Sequence, residues 1–507
     1  MSLLGIDVGT TGCKSGIFSE TGELLALAYR EYDPVTPKPG WGELDPHEVW
    51  AKVQETIREV ASKPGIAPIQ ALAVTSLGEA VVPVRKDRQI LGPSILNYDT
   101  RGYEYGKQLS QQIRNEDLYP KTGNIFGTYF SMVKLMWIKK NQPELYEQTD
   151  YFMPWSGFIS FMLGSDPAVD FSLANRTLLF DIKAQAWSEE LLQLSGIDRE
   201  KLPKPVQAGT LIGHVPAGIA KTLNLPEGLP IVMGTHDQCA NAVGSGAINA
   251  GQAMLGMGTF TTIVPVFTSE YDPKSVIELG VNTEHHAVPG RYVSFIYNQG
   301  GSVVKWFRDT FAAVEKQQAD AAGEDIYTRL FNEIPDKPGS LVMLPYLTTT
   351  GLPHFSPHTS GVISGLRLTS TRGEILQGII ESILYDLKMT MDPLKGVGLN
   401  VEEYITVGGG SKSDVWMQTV ADVLGCPVRR MKIAEAGVLG CAIIAGVGSG
   451  VFQDYPSAIE VMVSTGDGFE PKHENVAYYQ RMHERFMTLR GLLQPFLEDH
   501  AAEIIQH

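Results

Sequence analysis

The chain has 507 residues, 43% of them hydrophobic and 19% charged, with a formal net charge of −16. That length suggests about three domains, and the balance suits an ordinary globular protein with large cores. The acidic excess disfavours a general nucleic-acid or anionic-membrane binder, and it requires any anionic ligand to be held locally by backbone amides, a few cations and a metal ion. The cysteines Cys13, Cys239, Cys426 and Cys441 are scattered without a CxxC pair, as expected of free buried thiols in a reducing compartment. The opening MSLLGIDVGTTG lacks the pattern of a signal peptide, and no run is long enough to cross a bilayer, so a cytoplasmic protein is expected.

Residues 3–8 form an apolar run that ends in Gly9-Thr10-Thr11-Gly12, and strand patterns follow at 13–18 and 24–32, which predicts a β-meander. A turn of this composition offers amides and hydroxyls to a phosphate. Asp7 at the strand end is placed to hold a hydrated Mg²⁺, and Lys14 to neutralise phosphate charge. The structural alternative is a hairpin turn with an exposed lysine. After a loop at 40–46, Trp50, Val53, Ile57 and Val60 share one face of a helix. Residues 69–76 read as a buried strand ending at Leu77-Gly78-Glu79, where polar chemistry can meet a ligand. Further strands are expected at 81–84 and 90–96. Asn97-Tyr98-Asp99-Thr100-Arg101 then sets a carboxylate near a guanidinium, which on its own reads as a surface ion pair. A helical segment begins at 135–138 and stops near Pro143, and 168–177 reads as a loop with Asp170, Ser172 and Arg176.

The apolar run 229–233 leads into Gly234-Thr235-His236-Asp237-Gln238 and a small-residue helix. Asp237 therefore falls at a strand-to-helix turn, either as a plain cap or as a carboxylate aimed by the helix start. Residues 247–252 look like a boundary. Directly after it, 253–262 again reads strand, Gly/Thr turn, strand, echoing 3–18. Ala242-Val243-Gly244-Ser245-Gly246 also recurs as Gly446-Val447-Gly448-Ser449-Gly450. These echoes predict two copies of one α/β domain, at 1–248 and 249–507.

In the second half, Gly300-Gly301 opens a helix, and a strand at 341–347 enters a Gly/Pro/His loop at 351–361. Ile375, Ile379, Ile383 and Leu387 keep helical register. A strand at 401–407 runs into Gly408-Gly409-Gly410-Ser411 and a helix with Trp416, Val420 and Leu424, without Rossmann or Walker spacing. The tail at 474–493 reads as a helix packing back on the body. His285-His286, His354 and His358 have no acidic or Cys partner at zinc spacing and are expected as surface or loop residues.

Asp7-x-Gly-Thr-Thr-Gly, Gly234-Thr-His-Asp237-Gln-Cys-Ala, Gly258-Thr259, and Gly408-Gly-Gly-Ser with Trp416 form one ordered set. With Glu43-Leu-Asp45-Pro46, Asp99-x-Arg101, Tyr129-Phe130-Ser131 and Glu435-Ala-Gly-Val-Leu-Gly440, this set resembles the FGGY family of carbohydrate kinases from about Leu3 to Gly450. The resemblance implies two actin-like, ribonuclease-H-like α/β domains with an interdomain cleft. It implies ATP and Mg²⁺ as cofactors: Asp7, Gly9, Thr10, Thr11 and Lys14 toward phosphates and metal, Gly258 and Thr259 as the second phosphate turn, and Gly300 and Gly301 beside it. Gly409, Gly410 and Ser413 or Asp414 would line the adenosine pocket. Asp237 matches the family's catalytic base, and is set with Asp7 beside the metal. Because Met257 departs from the commoner LGTS pattern, the phosphate role there belongs to Thr259 or is shared.

Glu79, Asn97, Asp99, Tyr129, Asp237 and Gln238 match substrate-contacting positions of the family. Asn97 stands where glycerol and xylulose kinases usually carry Trp, and Leu77-Gly78-Glu79 departs from the triplets of both. The polar Asn97 suits a more hydroxylated acceptor than glycerol, so the expected substrate is a ketose such as a pentulose, with a sugar acid or another polyol as the alternative. Phosphorylating an alcohol needs a base at the hydroxyl and charge neutralisation at the phosphoryl group, which Asp237 and the two Gly/Thr turns would supply. Two other readings are an actin-like ATPase driven by a partner protein and a sugar sensor without turnover. The alcohol-site motifs argue against the first, and intact Asp7, Asp237 and both turns against the second. The expected partners are small molecules, not nucleic acid or membrane, with a homodimer left open.

Overall fold

The structure, a computed structural model, describes residues 1–268, 273–348 and 359–505. His354, His358 and most of the loop expected at 351–361 lie outside the described residues. The chain divides into two compact units. One comprises Met1–Asn249, Asn282–Val293 and Glu435–Ser464, and the other Ala250–Val281, Ser294–Ala434 and Thr465–His507. The division is not a single cut near 248, because two stretches of the second half fold with the first.

In the first unit the N-terminal meander forms as Ser2–Val8, Gly12–Ser19 and Leu24–Glu31. Ser2–Val8 pairs in parallel with Ile69–Ser76, which pairs in parallel with Pro230–His236, and Leu211–His214 closes the edge antiparallel. The run ALAV within Ile69–Ser76 is buried throughout, as a parallel strand covered on both faces requires. Asp45 starts the helix Pro46–Ala61 by accepting from the His47 amide, with Pro46 in the first turn, where its missing N–H is harmless. Val49, Val53, Ile57 and Val60 then join the sheet core.

The second unit repeats that order. Ile296–Gln299, Phe260–Phe267 and Gln252–Met257 are antiparallel neighbours, Glu403–Val407 and Val428–Met431 add in parallel, and Thr465–Phe469 ends the run antiparallel. Three antiparallel strands, two parallel ones and an antiparallel edge in each unit are the duplication the Gly/Thr echoes predict. Thr371 and Glu374 form a reciprocal capping box that starts the long helix Arg372–Lys395. The terminal helix His473–Ile505 buries Tyr479, Met482 and Phe486, and the Tyr479 hydroxyl donates to Glu381 at 2.9 Å.

The second echo has a different meaning from the one expected. The helix Ala436–Gly448 lies in the first unit, directly against Asp237–Ser245. A Cβ on Gly440 would fall 1.9 Å from the Ala240 carbonyl oxygen, and one on Gly244 1.9 Å from that of Ala436. The small residues repeated in the two helices let their backbones touch. Two local expectations also change. The loop at 168–177 contains a strand, Ala168–Asp170, and a helix, Phe171–Asn175, that Asp170 caps. His285 and His286 are buried, not on the surface: each bonds a backbone carbonyl through Nε2, and burial lowers both pKa values, that of His286 to about 4. All four cysteines are buried and unbridged. Among the described residues no helix is long and apolar enough to cross a membrane.

Candidate active site

Asp237 is the first residue of the helix Asp237–Ser245, directly after the strand Pro230–His236. It does not cap that helix. The strand runs on to His236, whose extended backbone makes it the cap, with Nδ1 accepting from the Gln238 amide at 3.1 Å. Asp237 Oδ1 is buried and makes no hydrogen bond, although it lies 3.0 Å from the same Nδ1. The strand end is fixed from behind. Ser172 Oγ accepts from the His236 amide at 3.0 Å, and Asp170 accepts from the Thr235 hydroxyl at 3.1 Å. Burial raises the Asp170 pKa to about 6 against its hydrogen bonds from Ser172, Leu173 and Thr235. Gly234 is required where it stands, since a Cβ there would sit 1.8 Å from the Val74 carbonyl oxygen.

The Gly9–Gly12 turn closes with a Gly9 amide to Gly12 carbonyl bond of 2.9 Å, and the Tyr32 hydroxyl donates to the Gly9 carbonyl at 2.7 Å. Thr10 is half-buried and Thr11 exposed. Beside the turn, burial and then the charge of Asp237 push the Asp7 pKa up to about 7, with Lys14 opposing. Lys14 is held by Glu435 at 2.7 Å. A Cβ on Gly437 would be 3.3 Å from both Asp7 Oδ2 and Asn241 Oδ1, so those oxygens converge on a glycine at the start of Ala436–Gly448.

A third group surrounds Glu79, whose φ of 61° is a left-handed conformation uncommon outside glycine and typical of strained functional positions. Glu79 Oε2 accepts from Asn97 Nδ2 at 3.1 Å, and Oε1 from Arg176 Nε at 2.6 Å. Arg176 Nη1 donates to Glu284 Oε1 at 2.8 Å, and its guanidinium lies 5.4 Å from the Tyr129 ring and 4.9 Å from that of Phe130. Gly78 joins this group to the helix start, since a Cβ there would be 2.6 Å from His236 Nε2. The fold thus gathers Glu79, Asn97, Tyr129, Asp237 and the half-buried Gln238 in one unit. Asp99 differs. It is fully buried, its oxygens accept from the Gly42 amide and from Arg101, and Arg101 stacks 3.9 Å over Trp41. The Asp99–Arg101 pair is therefore an internal staple and not a surface ion pair.

The second unit carries a cavity of about 1140 Å³ lined by Gly258, Thr259, Gly301, Gly409, Gly410, Ser413, Asp414 and Trp416, among others. The turn at Gly258-Thr259 is tied to the next helix, with the Gly301 and Ser302 amides each donating at 2.9 Å to the carbonyls of Gly258 and Thr259. Gly300 and Gly301 allow that approach, since their Cβ atoms would lie 2.5 Å from the Thr261 nitrogen and 2.6 Å from the Gly258 oxygen. Met257 also lines the cavity, while Gly409 faces open space. Ser413 caps Asp414–Leu424 through the Trp416 amide at 3.2 Å, and Asp414 pairs with Arg430.

Sequence reasoning gave no role to His236, Arg176, Glu284, Asn241 or Glu435. His236 could have been found as the neighbour of Asp237 at the strand end. Glu284 carries no motif or periodicity, and it reaches Arg176 from 108 positions away.

Family models match residues 2–244 as the N-terminal domain of the FGGY family of carbohydrate kinases and residues 254–449 as its C-terminal domain. The chain is 25% identical to a xylulose kinase of Bacillus subtilis (strain 168) over 96% of each chain. It is 31% identical to a glycerol kinase of Acidovorax sp. (strain JS42), covering 89% of this chain and 91% of the relative. The crystal structure of xylulose kinase from Rhodospirillum rubrum is similar with a TM-score of 0.86 at 26% identity, covering 98% of this chain and 100% of that one.

Proposed function

Since the chain belongs to the FGGY family of carbohydrate kinases, we propose that it transfers the γ-phosphate of ATP to a hydroxyl of a small ketose, a pentulose before glycerol. The observation that carries this reading is Asp237 Oδ1, a buried carboxylate oxygen with no hydrogen bond, at the same strand end that Gly78 ties to Glu79, Asn97 and Arg176. A carboxylate left without a donor can accept the proton of an attacking hydroxyl, and the Glu79–Asn97 pair offers an acceptor and a donor to neighbouring hydroxyls. Tyr129 and Gln238 border that group. Asn97 in place of an apolar wall favours a polyhydroxylated substrate, and the likeness to xylulose kinases supports a pentulose. Asp99 then acts by holding the adjoining chain.

The Gly258-Thr259 turn, Gly300 and Gly301 would receive phosphates, and the cavity with Gly409, Gly410, Ser413 and Asp414 would receive the nucleoside, for which its volume is ample. In the first unit Gly9, Thr10 and Thr11 would meet the transferring group, and Lys14 would offset its charge. Two mutually repelling carboxylates, Asp7 and Asp237, suit an Mg²⁺ ion, a hard cation commonly held by one or two carboxylates together with substrate phosphates. The ion would supply charge neutralisation on the phosphates. A cytoplasmic location goes with this reading, supported by four unbridged cysteines.

The test is ADP release over a panel of ketoses, polyols and aldonates. Turnover that depends on a pentulose supports the proposal. Turnover stimulated only by a protein, or by glycerol better than by any ketose, rejects it.

A further inference from the structure

We propose that the acceptor site admits only uncharged polyhydroxy substrates, and that Glu284, by locking Arg176, is the residue that excludes sugar acids. The inference rests on the carbohydrate-kinase reading and narrows its substrate class. A buried arginine beside a sugar site would ordinarily be a carboxylate receptor, because its planar fork matches a carboxylate bidentately. Here that fork is already engaged by two carboxylates of the protein itself. Nε and Nη2 donate to Glu79 Oε1, and Nη1 donates to Glu284 Oε1 at 2.8 Å. The flanks of the guanidinium carry the Tyr129 and Phe130 rings.

Glu284 is fully buried and is surrounded by donors. Besides Arg176, it accepts from Asn175 Nδ2 and, at 2.7 Å, from Asn282 Nδ2. Counted formally, Glu79, Arg176 and Glu284 sum to one negative charge, and Asp237 stands at the adjoining strand end. Lys14, the cation of the neighbouring Gly/Thr turn, is engaged by Glu435 at 2.7 Å. An aldonate carboxylate entering here meets net negative charge at low dielectric, whereas a ketose or polyol meets hydroxyl acceptors at no such penalty. Glu284 is a positioning residue: it acts through Arg176.

The experiment compares kcat and KM for xylulose and ribulose with those for the matched aldonates, xylonate and ribonate, in the wild type, Glu284→Gln and Glu284→Asp. In the wild type the neutral acceptors exceed the aldonates by about 100-fold or more in kcat/KM. Glu284→Gln narrows that ratio by about tenfold, chiefly through the aldonate KM, while Glu284→Asp, which keeps the charge, does not. A wild type that uses an aldonate as well as a pentulose overturns the inference and leaves the kinase reading intact. Equal narrowing by both variants, or none, overturns the role of Glu284. Should Glu284→Gln fail to fold, competition by aldonates against the neutral acceptor in the wild type decides the charge argument alone: competition at matched concentration overturns it. Absence of turnover with every small alcohol overturns the kinase reading and this inference with it.

Discussion

Asp237 Oδ1 lies 3.0 Å from Nδ1 of His236, yet that nitrogen accepts the Gln238 amide at 3.1 Å. A backbone amide can only donate, so Nδ1 accepts from Gln238 in the neutral imidazole and Asp237 Oδ1 then receives no hydrogen bond from it; protonation of the ring, opposed by burial and favoured by the Asp237 charge, would turn the contact into an ion pair. The helix start uses the histidine as its cap and leaves the aspartate oxygen without a donor. Asp237→Asn keeps the shape and removes the base. The expected loss in kcat is about a thousandfold or more, with the affinity for metal-free ATP within about twofold of wild type, since the proposed nucleotide cavity belongs to the other unit. Coupled ADP release and nucleotide calorimetry measure the two separately. A variant with near-normal turnover would show that the unpaired oxygen is incidental.

The Asp99–Arg101 pair calls for the opposite pattern. Arg101 is 4% exposed, bonded to Asp99 and Glu43, and stacked on Trp41. Removing one partner of a buried pair strands the other. Asp99→Ala is expected to destabilise the protein by about 3–5 kcal/mol, seen as a lower thermal midpoint. Its catalytic effect should follow from partial unfolding and disappear when bound ligand restores the fold. Unchanged stability with a raised acceptor KM would return Asp99 to the substrate site.

The alternation of Gly/Thr turns with strands was legible because a meander and a parallel strand have local signatures, and the repeated sheet order followed from them. Asp237 was legible as a carboxylate at a strand-to-helix turn, but the fact that His236 and not Asp237 caps the helix was not. Whether the strand stops at Thr235 or at His236 is decided by Ser172 and Asp170, which reach it from 64 and 65 positions away. The second small-residue helix was legible as an echo, but its place was not, because glycine spacing fixes how closely helices approach and not which helix is the partner. Burial of Asp99, His285 and Glu284 depends on tertiary neighbours that no window along the chain contains.

Those helix glycines give a graded test. The Cβ of Gly440→Ala would fall 1.9 Å from the Ala240 oxygen, so the helices must separate. The expected loss is about 1–3 kcal/mol or more of stability. Because Ala240 lies on the helix that begins at Asp237, kcat should fall as well, with little change in nucleotide affinity. Gly218→Ala is the control. It lies in Ala217–Leu223 with open space around its Cβ position, and the gain in helix propensity should stabilise the protein by up to about 1 kcal/mol. Equal unfolding midpoints for the two variants would mean that the helices are not in backbone contact.

Glu381 provides a pH-dependent prediction away from the proposed chemistry. It is fully buried in the helix Arg372–Lys395, where Oε1 accepts from the Gly339 amide at 2.8 Å and from the Tyr479 hydroxyl at 2.9 Å, and Oε2 has no hydrogen bond. Burial pushes its pKa up to about 7 against those donors and the neighbouring Gln377 side chain. The folded state therefore holds this proton more tightly than the unfolded chain does. Between the unfolded value near 4.5 and the folded value near 7, stability falls as pH rises, and above 7 the penalty is constant at about 3 kcal/mol. Glu381→Gln cannot ionise. Relative to wild type it should gain stability as pH rises from 5 to 8, and at pH 5 it should be equal or slightly worse, because its amide enters a position without an acceptor. Urea midpoints for both proteins at pH 5, 6.5 and 8 measure the difference directly. A gap that stays constant across that range would mean that Glu381 is ionised throughout and that its hydrogen-bond partners outweigh its burial.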